Sequence, residues 1–157
     1  MPRSSFDIRV RAEVKLTPVT AGFIRNAAKK ILKKIGWHQA AIGIVLVGAD
    51  KIRRYNRRYL KHDRATDVLA FAQFPKAQPR NFAKAAVPPF LGDLMIAVPV
   101  AKQQAREYGN TFRYELCFYV CHGILHLMGY DDATGPQARN MERKQKAILK
   151  AIRIKNG

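Results

Sequence analysis

The stretch 116–128 constrains the chain most. Its only strongly polar side chains are His122 and His126, and Gly129 closes it. A run this apolar has to be buried. Its length suits a core helix rather than a bilayer span, which takes about 20 apolar residues. The rest of the fold must therefore supply surfaces that cover this helix, while something else answers for two histidines on it.

Histidines at i and i+4 project from one face of a helix. Each imidazole has a nitrogen that needs a partner once water is excluded, and one metal ion satisfies both. Gly129 breaks the helix and lets the chain reverse, bringing Asp131 and Asp132 within reach. Asp132 is the expected third ligand, because metzincin-type sites also bring a third ligand back past a glycine turn. Asp131 is the alternative, and its other role would be to orient an imidazole. Three protein ligands leave a position open, as in catalytic rather than structural sites. In peptidases with H-E-x-x-H the residue after the first histidine is the glutamate base. Here it is Gly123, so a peptidase reading is set aside. The spacing of the other acids considered, Asp93 and Glu142, does not place them on an attacking water.

The charge balance names the partner class. Lys and Arg number 29 against 11 Asp and Glu, a formal net charge of +18. Such an excess attracts polyanions, nucleic acid before anionic membrane. The basic residues also cluster: Arg25, Lys29, Lys30, Lys33 and Lys34 on one predicted helix, Arg53, Arg54, Arg57 and Arg58 on another. Tyr55, Tyr59, Phe90 and Tyr130 are candidates for stacking on unpaired bases. The N-terminus has no apolar run like a secretory signal. Cys117 and Cys121, four apart in the apolar helix, read as reduced buried thiols. These points predict a cytoplasmic protein.

Alternation at 6–14 predicts a strand, with further strands at 41–47, 66–74 and 92–97. Helices are predicted from a Thr17 cap to about Ile35, from Asp50 through Lys61, from Pro99 to Gly109, from an Asn110 or Thr111 cap to Met128, and over 134–152. The stretch 75–89, rich in Pro, Ala and Lys, reads as a loop. Length and element order predict one α+β domain over 1–157.

The segment His122-Gly-Ile-Leu-His126-Leu-Met-Gly-Tyr-Asp131 resembles the signature of the YbeY family, bacterial rRNA maturation factors and metal-dependent endoribonucleases. Asn56–Phe71, with its Thr-Asp-Val-Leu, and Gly92-Asp93-Leu94-Met95-Ile96 resemble further family segments. So do Gln104, Ala105 and Glu107, Arg113 with Glu115, and Met141, Gln145, Ile148 and Leu149. The resemblance implies a mixed sheet of about four strands flanked by helices, with one Zn2+ at the site. It also implies cleavage of single-stranded RNA, in 16S rRNA 3′-end maturation and ribosome quality control on the small subunit. His122 and His126 match two of the family's three histidine ligands. The third falls on Asp132, a harder ligand that opens the site to other divalent transition metals. A family arginine falls on Leu60, and Arg57, Arg58, Lys61 and Arg64 are the candidates to stabilise charge on the phosphate. Ala65 and Ala70 stand where proline and serine are usual. The first rival reading is a non-catalytic RNA-binding ribosome assembly factor with a structural metal. The second is an iron oxygenase using two histidines and one carboxylate.

Overall fold

The computed structural model describes residues 5–60 and 68–156. Four strands form one mixed sheet: β1 (Ser5–Ala12), β2 (Gln39–Val47), β3 (Val68–Ala72) and β4 (Phe90–Ala97), in the order β1-β2-β4-β3. β1, β2 and β4 run parallel, and β3 is antiparallel to β4. This is the mixed four-stranded α+β architecture expected. The two faces follow from the two-residue period of a strand. Ile8 on β1, Ile42, Ile44 and Leu46 on β2, and Leu94 and Ile96 on β4 are buried in the main core. Between them, Asp7, Arg9 and Arg11 on β1 and Asp93 on β4 stay exposed. β2, flanked on both sides, is the most continuously apolar strand.

α1 (Ala21–Lys34) and α4 (Phe112–Leu127) cover the inner face, with α3 (Val98–Tyr108) and α5 (Gly135–Ala151) packed against α4. α4 is thus apolar nearly all round because it is covered nearly all round. α1 keeps Arg25, Lys29, Lys30, Lys33 and Lys34 exposed. α2 (Ala49–Tyr55) caps the far end of the outer face, where Ile52 packs with Val47, Leu69, Met95 and Ala97.

Several boundaries differ from expectation. α1 is capped by Thr20, whose hydroxyl accepts from the Phe23 N–H at 3.1 Å. Residues 17–19 form a turn instead, closed by the Val19 N–H donating to the Leu16 carbonyl at 2.9 Å. The predicted basic helix stays α-helical only to Tyr55 and continues as a π-helical turn, Asn56–Leu60, in which Asn56 is buried. Lys61, Arg64, Thr66 and Asp67 lie outside the described residues. The predicted loop 75–89 contains a short 3-10 turn, Pro79–Phe82. Phe82 packs on Trp37 and on Phe74, at ring-centroid distances of 5.8 and 5.1 Å, which ties that segment to the core.

Cys117 and Cys121 are free and buried in α4. Burial pushes both thiols up to about 12. The thiolate is the reactive form, so at pH 8 both are expected to react with a disulfide reagent only as fast as the chain opens. Stoichiometric labelling within seconds in native buffer, with no unfolding, would contradict this packing.

Candidate metal centre

α4 is fixed at both ends. The Thr111 hydroxyl accepts from the Tyr114 N–H at 3.1 Å, and buried Glu115 accepts from the Asn110 side chain at 2.8 Å. At the other end Gly129 takes φ +92°, a conformation that favours glycine. The N–H groups of Gly129 and Tyr130 then donate back to the carbonyls of His126 and Leu125, at 3.0 and 3.1 Å. That closure turns the chain back over the last turn of α4. Four residues later Thr134 starts α5 with a capping box, its hydroxyl accepting from the Gln137 N–H and its own N–H donating to the Gln137 side chain. Asp132 is held in the short span between these two anchors.

The result is convergence. His122 Nε2 and His126 Nε2 are 3.0 Å apart, and Asp132 Oδ2 lies 3.3 Å from the first and 3.5 Å from the second. A tetrahedral ion with bonds of about 2.0–2.1 Å has ligand–ligand edges of roughly 3.3 Å, so this donor set fits one cation. The imidazoles were expected to be buried. They are instead 22% and 25% exposed, with Asp132 at 40%, and the rings meet edge to face at 76°. Partial exposure leaves a side from which a substrate oxygen can approach. Asp131 is turned elsewhere: its Oδ1 accepts the Asp132 N–H at 2.8 Å.

Gly123 has a spatial reason. A Cβ there would lie 2.7 Å from Leu94 Cδ2 and 2.9 Å from Cδ1, and Leu94 is fully buried. This position leans on the sheet, so a peptidase-type glutamate has no room.

Two neighbours were not anticipated as parts of the site. Gln145, on α5 and 1% exposed, places Oε1 3.1 Å from His122 Nδ1 and donates from Nε2 to the Phe118 carbonyl at 3.1 Å. The sequence signal is an amide within the apolar stripe Met141, Ile148, Leu149. Glu142, set aside on spacing, lines a cavity of about 520 Å³ together with His122, Asp132 and Tyr114, and pairs with Lys146 at 3.2 Å. One turn of α5 brings Glu142 to the cavity, which separation along the chain could not reveal.

Of the basic candidates, Arg57 and Arg58 fall within the described residues. Arg57 and Arg58 sit exposed on the π-helical turn after α2, an element of the outer face. Asp93 is also on that face, over Gly43, where a Cβ would meet its carboxylate at 2.2 Å. Arg9, Arg11, Lys51, Tyr55, Phe71 and Phe90 line a cavity of about 830 Å³ there. Its cations are met by carboxylates: Arg9 by Asp7 at 3.4 Å, and Arg11 and Lys51 by Glu13 at 3.4 and 2.7 Å. The hydrogen bond from Lys51 holds the Glu13 carboxyl below its usual range. Of the candidate stacking residues, Phe90 is exposed, Tyr55 packs edge-on against Phe71 and Tyr130 lies under the Lys144 ammonium. No helix among the described residues is long and apolar enough to cross a membrane.

A family model described as Endoribonuclease YbeY matches residues 9–153. A curated relative from Geobacillus sp. (strain WCH70), named Endoribonuclease YbeY, is 45% identical over 111 residues, 70% of this chain and 71% of its own. One of the same name from Bacillus cereus (strain G9842) is 42% identical over 114 residues, 72% of this chain and 73% of its own. The solution structure of TM1509 from Thermotoga maritima superposes with a TM-score of 0.62 at 30% identity, covering 92% of this chain and 88% of that one.

Proposed function

The chain belongs to the YbeY family of endoribonucleases, and from that premise we propose that residues 1–157 form one metal-dependent endoribonuclease domain whose reaction centre is His122, His126 and Asp132. The observation that carries this reading is the convergence of three donor atoms within 3.5 Å of one another on a partly exposed surface. The ion is one Zn2+ per chain, with other divalent transition metals admitted by the carboxylate. When bound, zinc supplies Lewis acidity toward a phosphoryl oxygen and toward water. Asp132 takes one positive charge off the centre relative to a third imidazole. More of the charge developing on the phosphate then falls to cationic side chains, with Arg57, Arg58, Lys61 and Arg64 as the candidates. The exposed lysines of α1 guide the RNA backbone by charge, and that attraction weakens with salt. The substrate is single-stranded RNA, in 3′-end maturation of 16S rRNA and quality control on the small ribosomal subunit, in the cytoplasm.

The test is metal content together with cleavage of an unstructured RNA before and after chelation. The expected result is about one zinc per chain, cleavage abolished by the chelator and restored by zinc, and duplex RNA left intact. Undiminished cleavage by metal-free protein would remove the metal from the reaction. Zinc bound without any cleavage would leave an RNA-binding assembly factor. End-group analysis then identifies the nucleophile: a 2′,3′-cyclic phosphate requires attack by the substrate's own 2′-OH and rules out direct attack by water.

A further inference from the structure

The proton on His122 is set from behind. The Phe118 carbonyl can only accept, so the Gln145 amide must present its NH2 end there, at 3.1 Å. That commits Gln145 Oε1 to His122 Nδ1, also at 3.1 Å. Oε1 can only accept, so Nδ1 must carry the hydrogen. The reversed amide would set two acceptors against each other at Phe118, with Gln145 itself only 1% exposed.

A neutral imidazole protonated at Nδ1 has its lone pair at Nε2, the atom that faces His126 and Asp132. We infer that Gln145 is a positioning residue: it locks His122 in the Nδ1–H tautomer and so presents Nε2 to the cation before the cation arrives. Free histidine in water favours the opposite tautomer, so the lock works against the ring's own preference. Packing alone does not call for an amide here, since methionine would fill the same space in the stripe of Met141, Ile148 and Leu149. The same argument assigns the other ring. With His122 Nε2 bare, the 3.0 Å contact between the two Nε2 atoms has His126 as donor in the metal-free protein. A cation held by the triad would require the His126 hydrogen to sit on Nδ1 instead of Nε2, while His122 would keep its tautomer. The inference rests on the proposed role of the triad as ligands, but its first readout does not.

The tautomers are read in full-length metal-free protein labelled with 15N-histidine, at a pH where both rings are neutral, from long-range proton–nitrogen correlations. Wild type is expected to show His122 as Nδ1–H and His126 as Nε2–H, with only His126 changing on addition of zinc. Gln145→Met is expected to shift His122 toward Nε2–H and to weaken zinc binding by about 10–100-fold in competition with a chromophoric chelator. Gln145→Glu, whose protonated carboxyl can donate to the Phe118 carbonyl while its other oxygen accepts from Nδ1, is expected to keep the Nδ1–H tautomer and restore most of the affinity. Circular dichroism checks that both variants are folded. Wild-type His122 found as Nε2–H overturns the inference whether or not either variant folds, and so does a folded Gln145→Met protein with unchanged tautomer and affinity. Wild type with the Nδ1–H tautomer but no affinity for zinc would instead overturn the metal reading and leave the lock in place.

Discussion

Changing His126 to alanine is expected to lower RNA cleavage by about a thousandfold or more. A bound metal supplies several kcal/mol of transition-state stabilisation, and each 1.36 kcal/mol is about tenfold in rate. The change would leave two of the three proposed ligands, His122 and Asp132, and the latter is 40% exposed. The same variant separates catalysis from folding. His126 is only partly buried, so its loss should cost the metal-free protein little, on the order of 1 kcal/mol. Zinc at 100 times its Kd stabilises a binding-competent protein by about 2.7 kcal/mol, which for a chain of this size is roughly 5–10 °C in Tm. Wild type should show that rise in calorimetry and His126→Ala should not. Asp131→Ala is the control, because its carboxylate is occupied by the Asp132 N–H; it should keep most of the zinc-dependent rise. A folded His126→Ala protein that still cleaves, or is still stabilised by zinc as wild type is, would end the assignment of this centre.

What the sequence revealed of this centre divides along a physical line. The spacing of His122 and His126, the cap at Thr111 and the stop at Gly129 are matters of one helix and its ends, where local rules decide. The reversal after Gly129 limited the third donor to Asp131 or Asp132. The choice between them depended on a turn in which one carboxylate takes the next residue's N–H, and residue type does not encode that. Gln145 and Glu142 belong to the site through the packing of α5 on α4. Gln145 left a trace, a polar residue in an apolar stripe, and exposed Glu142 left none. The sheet shows the same division. Alternation identified β1, yet the order β1-β2-β4-β3 is a property of the assembled chain. Thr17 and Thr20 are equally good caps by residue type, and the turn that Val19 closes back onto Leu16 decides between them.

Gly92→Ala is expected to be the most damaging single-methyl change to the fold. The β2–β4 register shifts between Ala41 and Ile42, pairing Ala41 with Phe90 and Ile42 with Gly92, so Leu91 is the extra residue of a bulge. Gly92 leaves that bulge at φ +141°, where a side chain costs about 1–3 kcal/mol. Its Cβ would also lie 2.2 Å from the Phe71 carbonyl oxygen and 2.9 Å from Leu127 Cδ2. The first obstacle is backbone in the paired strand β3, so no rotamer relieves it, and overpacking adds about 1–3 kcal/mol. The expected loss of roughly 3–5 kcal/mol is a large part of the stability of an ordinary domain and should lower Tm by about 10 °C. Gly109→Ala is the comparison. Gly109 also has positive φ, +68°, but a Cβ there meets nothing within 4 Å, so only the conformational penalty of about 1–2 kcal/mol applies. Equal Tm values for the two variants would mean that β3 yields to the methyl group and the bulge is not tightly enclosed. The two should also differ at the metal centre. Leu127 follows His126 at the end of α4, so a methyl group that pushes on Leu127 displaces the imidazole beside it. Zinc affinity should therefore fall in folded Gly92→Ala protein and stay at the wild-type value in Gly109→Ala.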